Sequence, residues 1–197
     1  HTRFKCDWSS DVALPIYWWS HAVIARDWFR YFQYTKQQKQ VYRKFLIYNR
    51  AWSGTREYRL KFAELVVESN LLQNCQMAFN AIDNNIHFSQ HSYKNPCFVV
   101  TKDLESYFEI NQTLSSASAD YTSDDYVSCA VEVVLETLFD DTRLHLTEKT
   151  LRPIACGKPF ILASTPGSLE YLRSYGFKTF SPWIDESYDH KIGRAHV

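Results

Sequence analysis

The stretch that most limits what this chain can fold into runs from Ala130 to Ala163 and divides into strand, loop, helix and strand. Ala130–Glu136 (AVEVVLE) is a β-branched run of strand length, with some helical ambiguity. In HLTEKTLRPIACGKPFIL, from His145 to Leu162, Thr147 is of the type that caps helix N-termini, and Glu148 and Lys149 fall in the first turn after it. Gly157 sits where such a helix ends, and Pro159 blocks its continuation. Pro159–Ala163 (PFILA) reads as a short buried strand. Strand, crossover helix and strand make one βαβ unit.

The chain carries a second such signal upstream. Phe45–Tyr48 (FLIY) reads as a strand that runs into the loop Asn49–Arg56 (NRAWSGTR). Glu57–Glu68 reads as a helix whose buried side is marked by Tyr58, Leu60 or Lys61, Phe62, Leu65 and Val66. Leu71–Phe79 gives a second strand. The expected fold is therefore α/β, a doubly wound and mostly parallel, Rossmann-like sheet. In such sheets a strand, a Ser/Gly loop and a helix bind phosphates outside the carboxyl ends of the strands. The chain has no GxGxxG and no Walker lysine here. It offers Ser53, Gly54 and Thr55 at the turn, with Arg50, Arg56 and Arg59 around it.

The helix start at Thr147 has its own chemistry. Exposed N–H groups and the positive end of the helix dipole favour an anion. Lys149 adds a full positive charge suited to phosphate, and the Glu148 carboxylate can accept hydrogen bonds from a pair of sugar hydroxyls. The plainer reading makes Glu148 a complement to the dipole and Lys149 a solvated side chain.

The run from Glu136 through HLTEKTLRPIACGKPFIL resembles the donor-site signature of GT-B glycosyltransferases, particularly the fucosyltransferase-like and exostosin-like branches. The resemblance covers about Val131 to Ala163 and implies the C-terminal, nucleotide-sugar-binding half of such an enzyme. It implies that Glu148 holds the ribose and that Lys149 meets the diphosphate, with Thr147 opening the helix and Glu136 at the strand end. The family's usual Glu-Asn is Glu136-Thr137 here. The resemblance extends to Ser53, Gly54 and Arg56, where an arginine after the first strand contacts the donor phosphate. It also implies that the acceptor half, and with it the catalytic base, lies outside this chain, that no metal or cofactor is required, and that the partners are a nucleotide-sugar and a glycan or other acceptor.

The rest of the chain sets bounds. At 197 residues it holds one large domain or one and a half small ones, and 45% apolar content supports a real core. Lys+Arg and Asp+Glu both number 22, which leaves no global field to hold nucleic acid or a membrane surface. No apolar run reaches the ~18 residues of a membrane span. The five cysteines are scattered without a CxxC pair, which points away from zinc and disulfides and towards a cytoplasmic protein. Tyr17–Tyr34 reads as an aromatic helix that packs a core or a domain interface, with Arg26 and Asp27 as a structural ion pair. His87 and His91 are spaced four apart but sit among Asn, Ser and Gln, so they read as loop histidines. Phe98–Val100 and Phe177–Phe180 are expected as short strands, and Asp103–Ile110 as a short helix capped by Thr101 or Asp103. Thr113–Asp125 is a low-complexity segment, with Asp120, Asp124 and Asp125 expected in a solvated acidic turn. Leu169–Tyr175 is a helix between Gly167 and Gly176, and the acidic run Asp185–Asp189 has no evident role.

Three regions are expected: an N-terminal segment 1–44 with the aromatic helix, a nucleotide-sugar-binding domain 45–191, and a tail 192–197. The tail, IGRAHV, resembles a translated sequencing-library adapter, which would make the chain a metagenomic gene fragment. An independent clone with native coding sequence through 192–197 would sink that idea. Two further functions stay open: a non-catalytic nucleotide- or glycan-binding module, and an interaction protein that docks through the tryptophan-rich helix.

Overall fold

The computed structural model describes residues 41–108, 121–140 and 143–190. The helix expected at 17–34, the segment 109–120 and the tail 192–197 lie outside the described residues. Four parallel strands form the central sheet: β1 (Arg43–Asn49), β2 (Cys75–Phe79), β5 (Cys129–Leu135) and β6 (Phe160–Ala163), in the order β2-β1-β5-β6. A small antiparallel hairpin, β3 (Ile82–Asp83) with β4 (Ile86–His87), follows β2. The helices are α1 (Tyr58–Glu68), α2 (Ser123–Ser128), α3 (Glu148–Ala155) and α4 (Ser168–Ser174). This is the expected α/β architecture, with a parallel sheet flanked by helices.

Side chains alternate across the sheet, so each strand feeds two cores. Ile47, Val133 and Leu135 pack with Tyr58 and Val66 of α1 on one face. On the other face Val134, Phe160 and Leu162 meet Leu169 and Leu172 of α4, and Leu46 meets Tyr126 of α2. Parallel strands buried on both faces read as continuous apolar runs, which is why FLIY and AVEVVL stand out in the sequence.

Several expected elements differ, for physical reasons. The strand expected over Leu71–Phe79 begins only at Cys75, because Leu72–Asn74 forms a 3₁₀ turn first. The segment 81–96 is not all loop: Asn84 and Asn85 have φ of 50° and 61°, the left-handed pair that a two-residue hairpin turn requires. Phe98–Val100 is not a strand; Pro96–Phe98 forms a 3₁₀ turn capped by Asn95. Leu104–Ser106 is a 3₁₀ turn capped by Asp103 rather than Thr101. Phe177–Phe180 has no strand partner, and Phe177 and Phe180 pack against the core beneath α4 instead.

Helix α1 departs from a simple amphipathic pattern because it is covered on two sides. Leu60, Ala63 and Val67 join Trp52, Phe79, Phe88 and Leu104 in a second core built by residues 79–108. Leu60 rather than Lys61 is the buried choice, and Leu65, expected inside, is 48% exposed. Two carboxylates of this region lash the irregular layer to the helix. Glu57 accepts from the backbone N–H groups of Lys94 and Asn95, and Glu64 from those of Thr101 and Lys102.

Asp125 is not in a solvated turn. It accepts from the Tyr48 hydroxyl at 2.5 Å and from the Thr122 hydroxyl at 2.6 Å, and so ties α2 to β1. The acidic run near the C-terminal end also gains a role. Buried Asp189 accepts the Leu169 N–H at 3.1 Å and caps α4, while Glu186 accepts from the Phe180 N–H at 2.7 Å. No described helix is long and apolar enough to cross a membrane.

Candidate functional site: a cationic cleft at the carboxyl edge of the sheet

The chain leaves β1 for β2 on one side and later returns to place β5 on the other. Between β1 and β5, outside their carboxyl ends, a doubly wound sheet opens a crevice. Here that crevice is an open cleft, and Arg50, Arg56, Arg59, Lys149 and Arg152 all line it. Tyr48 and Ala51 from the end of β1, with Val133 and Leu135 of β5, complete the lining. Among the described residues the lining holds five cationic side chains, while Glu148 and Glu132 pair with Lys149 and Arg152.

Each cation is held differently. Arg59 is 2% exposed and clamps three carbonyls, those of Ala51 at 2.6 Å, Leu135 at 2.5 Å and Glu136 at 3.0 Å. It thus ties the loop after β1 to the end of β5. Arg56 folds back on its own turn, with Nε donating to the Ser53 carbonyl at 3.1 Å. Burial pushes its guanidinium below the ordinary arginine value, neighbouring Arg59 adds to this, and Asp83 opposes it. Arg152 is buried against Glu132, and its Nε donates to the Tyr126 hydroxyl at 2.8 Å. Burial alone would lower its pKa, but the Glu132 carboxylate and Tyr126 raise it, so it stays charged. The Nζ of Lys149 donates to Glu148 at 2.8 Å and lies 3.3 Å from the Thr147 hydroxyl.

The expected helix start is present. Thr147 caps α3, its hydroxyl accepting the Lys149 N–H at 3.3 Å. Glu136 has a structural position that spacing does not disclose. Its carboxylate is fully buried and accepts from the Thr147 N–H and hydroxyl, the Thr150 hydroxyl and the Thr137 N–H, at 2.6 to 3.1 Å. It pins the start of α3 to the end of β5. Glu148 is buried beside Lys149 rather than open to the cleft.

At the first turn, the backbone N–H groups of Trp52 and Ser53 both donate to Asp83, at 2.8 and 2.7 Å. The anion held by this pair of N–H groups is thus the protein's own carboxylate, and the Ser53 hydroxyl accepts from Asn84 at 2.8 Å. Gly54 has φ of 69°, and a Cβ there would meet nothing within 4 Å, so this glycine serves the turn and not a close approach.

Of the expected binding residues, then, Arg56 and Lys149 line the same cleft. Thr147, Glu136 and Glu148 support it from the α3 side, and Ser53 and Gly54 shape the turn beside it. Tyr48 and Arg152 lacked a reading from the sequence. One signal was available: Glu132 interrupts an apolar strand, and a carboxylate buried in a sheet needs a buried cation. His87 and His91 each face a separate carboxylate, Glu105 at 2.6 Å and Glu57 at 3.2 Å, and among the described residues no group of acids, histidines and cysteines could hold a metal ion.

Fold and site together define an α/β protein with a Rossmann-like parallel sheet and a cationic cleft at its topological switch point. No protein-family model matches the sequence, and neither curated proteins nor solved structures give a match.

Proposed function

We propose that this chain is the donor-binding half of a glycosyltransferase and that its cleft takes the diphosphate of a nucleotide-sugar. The supporting observation is the convergence of five cations at the switch point of a parallel sheet, two of them, Lys149 and Arg152, paired with Glu148 and Glu132. Arg56 and Lys149, from separate helix starts, both face that space. In sugar transfer the acceptor oxygen bonds to the anomeric carbon as the bond to the diphosphate oxygen breaks. The electron pair leaves with the diphosphate, and the acceptor proton goes to a base. Arg56 and Lys149 stabilise the departing charge. The base belongs to the acceptor half.

Calorimetric titration with GDP, UDP, dTDP and ADP tests this reading. A charge-assisted hydrogen bond contributes about 1.5–3 kcal/mol. Lys149→Ala should therefore weaken binding of the preferred nucleotide about 10- to 150-fold. A folded chain that binds none of the four refutes the proposal.

A further inference from the structure

Two of the cleft cations share one aromatic ring. The guanidinium carbon of Arg50 lies 4.3 Å from the ring centroid of Tyr48, and that of Arg152 lies 4.5 Å from it. Both distances are within cation–π range. The ring itself is fixed from behind: its hydroxyl donates to Asp125, which Thr122 and Gln76 also hold. Arg152 is fixed in turn by Glu132 and Tyr126, two residues of the buried layer between β5 and α2. Tyr48, Arg50 and Arg152 all line the cleft.

Two like charges against one ring repel each other, and long arginine side chains lose rotamer freedom when held. The ring offsets both costs before any ligand arrives, because its faces are negative and flat. Burial, with the Asp125 hydrogen bond second, pushes the Tyr48 hydroxyl far above its ordinary pKa, so it stays protonated and is unsuited to act as a base.

We propose that Tyr48 is a positioning residue for the anion site, a platform that holds the Arg50 guanidinium, beside the Glu132-paired Arg152, at the cleft for one oxyanion-rich ligand. The inference rests on the reading of the cleft as a diphosphate site, and adds the residue that preorganises it.

Inorganic pyrophosphate, titrated calorimetrically into the full chain, is the probe. The variants are Tyr48→Phe, Tyr48→Met, Arg50→Gln and the double variant Tyr48→Met/Arg50→Gln, each checked for fold by far-ultraviolet circular dichroism. Tyr48→Phe keeps the ring and should bind within about threefold of the parent. Tyr48→Met removes it and should weaken binding about 5- to 30-fold, the equivalent of two cation–π contacts. In the Arg50→Gln background the same change should cost clearly less, since one of the two guanidiniums is already gone. A ring acting only as core packing would give the same factor in both backgrounds, and that result overturns the proposal. So does a Phe variant as weak as the Met variant, or a Met variant that fails to fold. A folded parent that binds neither pyrophosphate nor nucleotide overturns the proposed function as well. A parent that binds, with independent factors in the cycle, overturns only the role of Tyr48.

Discussion

Glu136→Gln separates two roles that the same residue could hold, a ligand group or an internal anchor. The substitution keeps shape and volume and replaces one carboxylate oxygen with an amide nitrogen. Each oxygen of Glu136 accepts one backbone N–H and one hydroxyl: Oε1 from the Thr147 N–H at 2.9 Å and Thr150 at 2.6 Å, Oε2 from the Thr137 N–H at 3.1 Å and Thr147 at 2.7 Å. A hydroxyl can turn and accept from the new amide, but a backbone N–H cannot. Whichever way the amide lies, one N–H faces a donor. Leaving such a group unsatisfied costs about 1–3 kcal/mol, and the remaining bonds lose their charge assistance. Relief of the buried charge offsets part of this. The expected loss is about 2–4 kcal/mol out of a typical ~5–15 kcal/mol for a domain. Helix α3 is eight residues long and contains Pro153, so little intrinsic helix stability compensates. Urea unfolding followed by circular dichroism measures the loss, with Thr150→Val, expected to cost about 1 kcal/mol, as the graded control. A Glu136→Gln protein as stable as the parent to within about 0.5 kcal/mol, with nucleotide binding lost, would refute the anchor and make Glu136 a ligand group.

Glu132→Leu should destabilise the chain by about 3–5 kcal/mol, because it strands the buried Arg152 charge. Glu132→Leu/Arg152→Met should be more stable than that single variant in the same unfolding assay; equal losses would show that the pair is not coupled. Burial would raise the pKa of Glu64, but hydrogen bonds from Lys61 and from the Thr101 and Lys102 backbone hold it at about 2, below its ordinary 4.5. Its contribution is therefore present above pH 4.5 and is lost as pH falls through 2, so the stability gap between the parent and Glu64→Gln should narrow over that window. A gap that stays constant from pH 5 to pH 2 would remove Glu64 from the acid response.

Local elements with strong periodic or punctuation signals were legible in the amino-acid order alone. The apolar run FLIY marked β1 and the β-branched run AVEVVLE marked β5, Thr147 and Gly157 bounded α3, and Gly167 and Gly176 bounded α4, because capping and strand burial act over a few residues. The same order also indicated that Arg56 and Lys149 lie at helix starts near the sheet's carboxyl edge. Short elements were less legible. Phe177–Phe180 forms no ladder with the sheet, and Phe177 and Phe180 pack into the core as coil.

Which polar groups line the cleft and which are satisfied inside the protein depends on contacts distant in sequence. Glu136, Glu148 and Asp83 are all carboxylates beside anion-favouring backbone, and each is satisfied within the protein, by Thr147, by Lys149 and by the Trp52–Ser53 turn. Strand order brought Arg152 of α3 into one space with Tyr48, Arg50 and Arg59, which lie far from it in the chain. That convergence depends on β5 lying beside β1, a long-range pairing that no local pattern encodes.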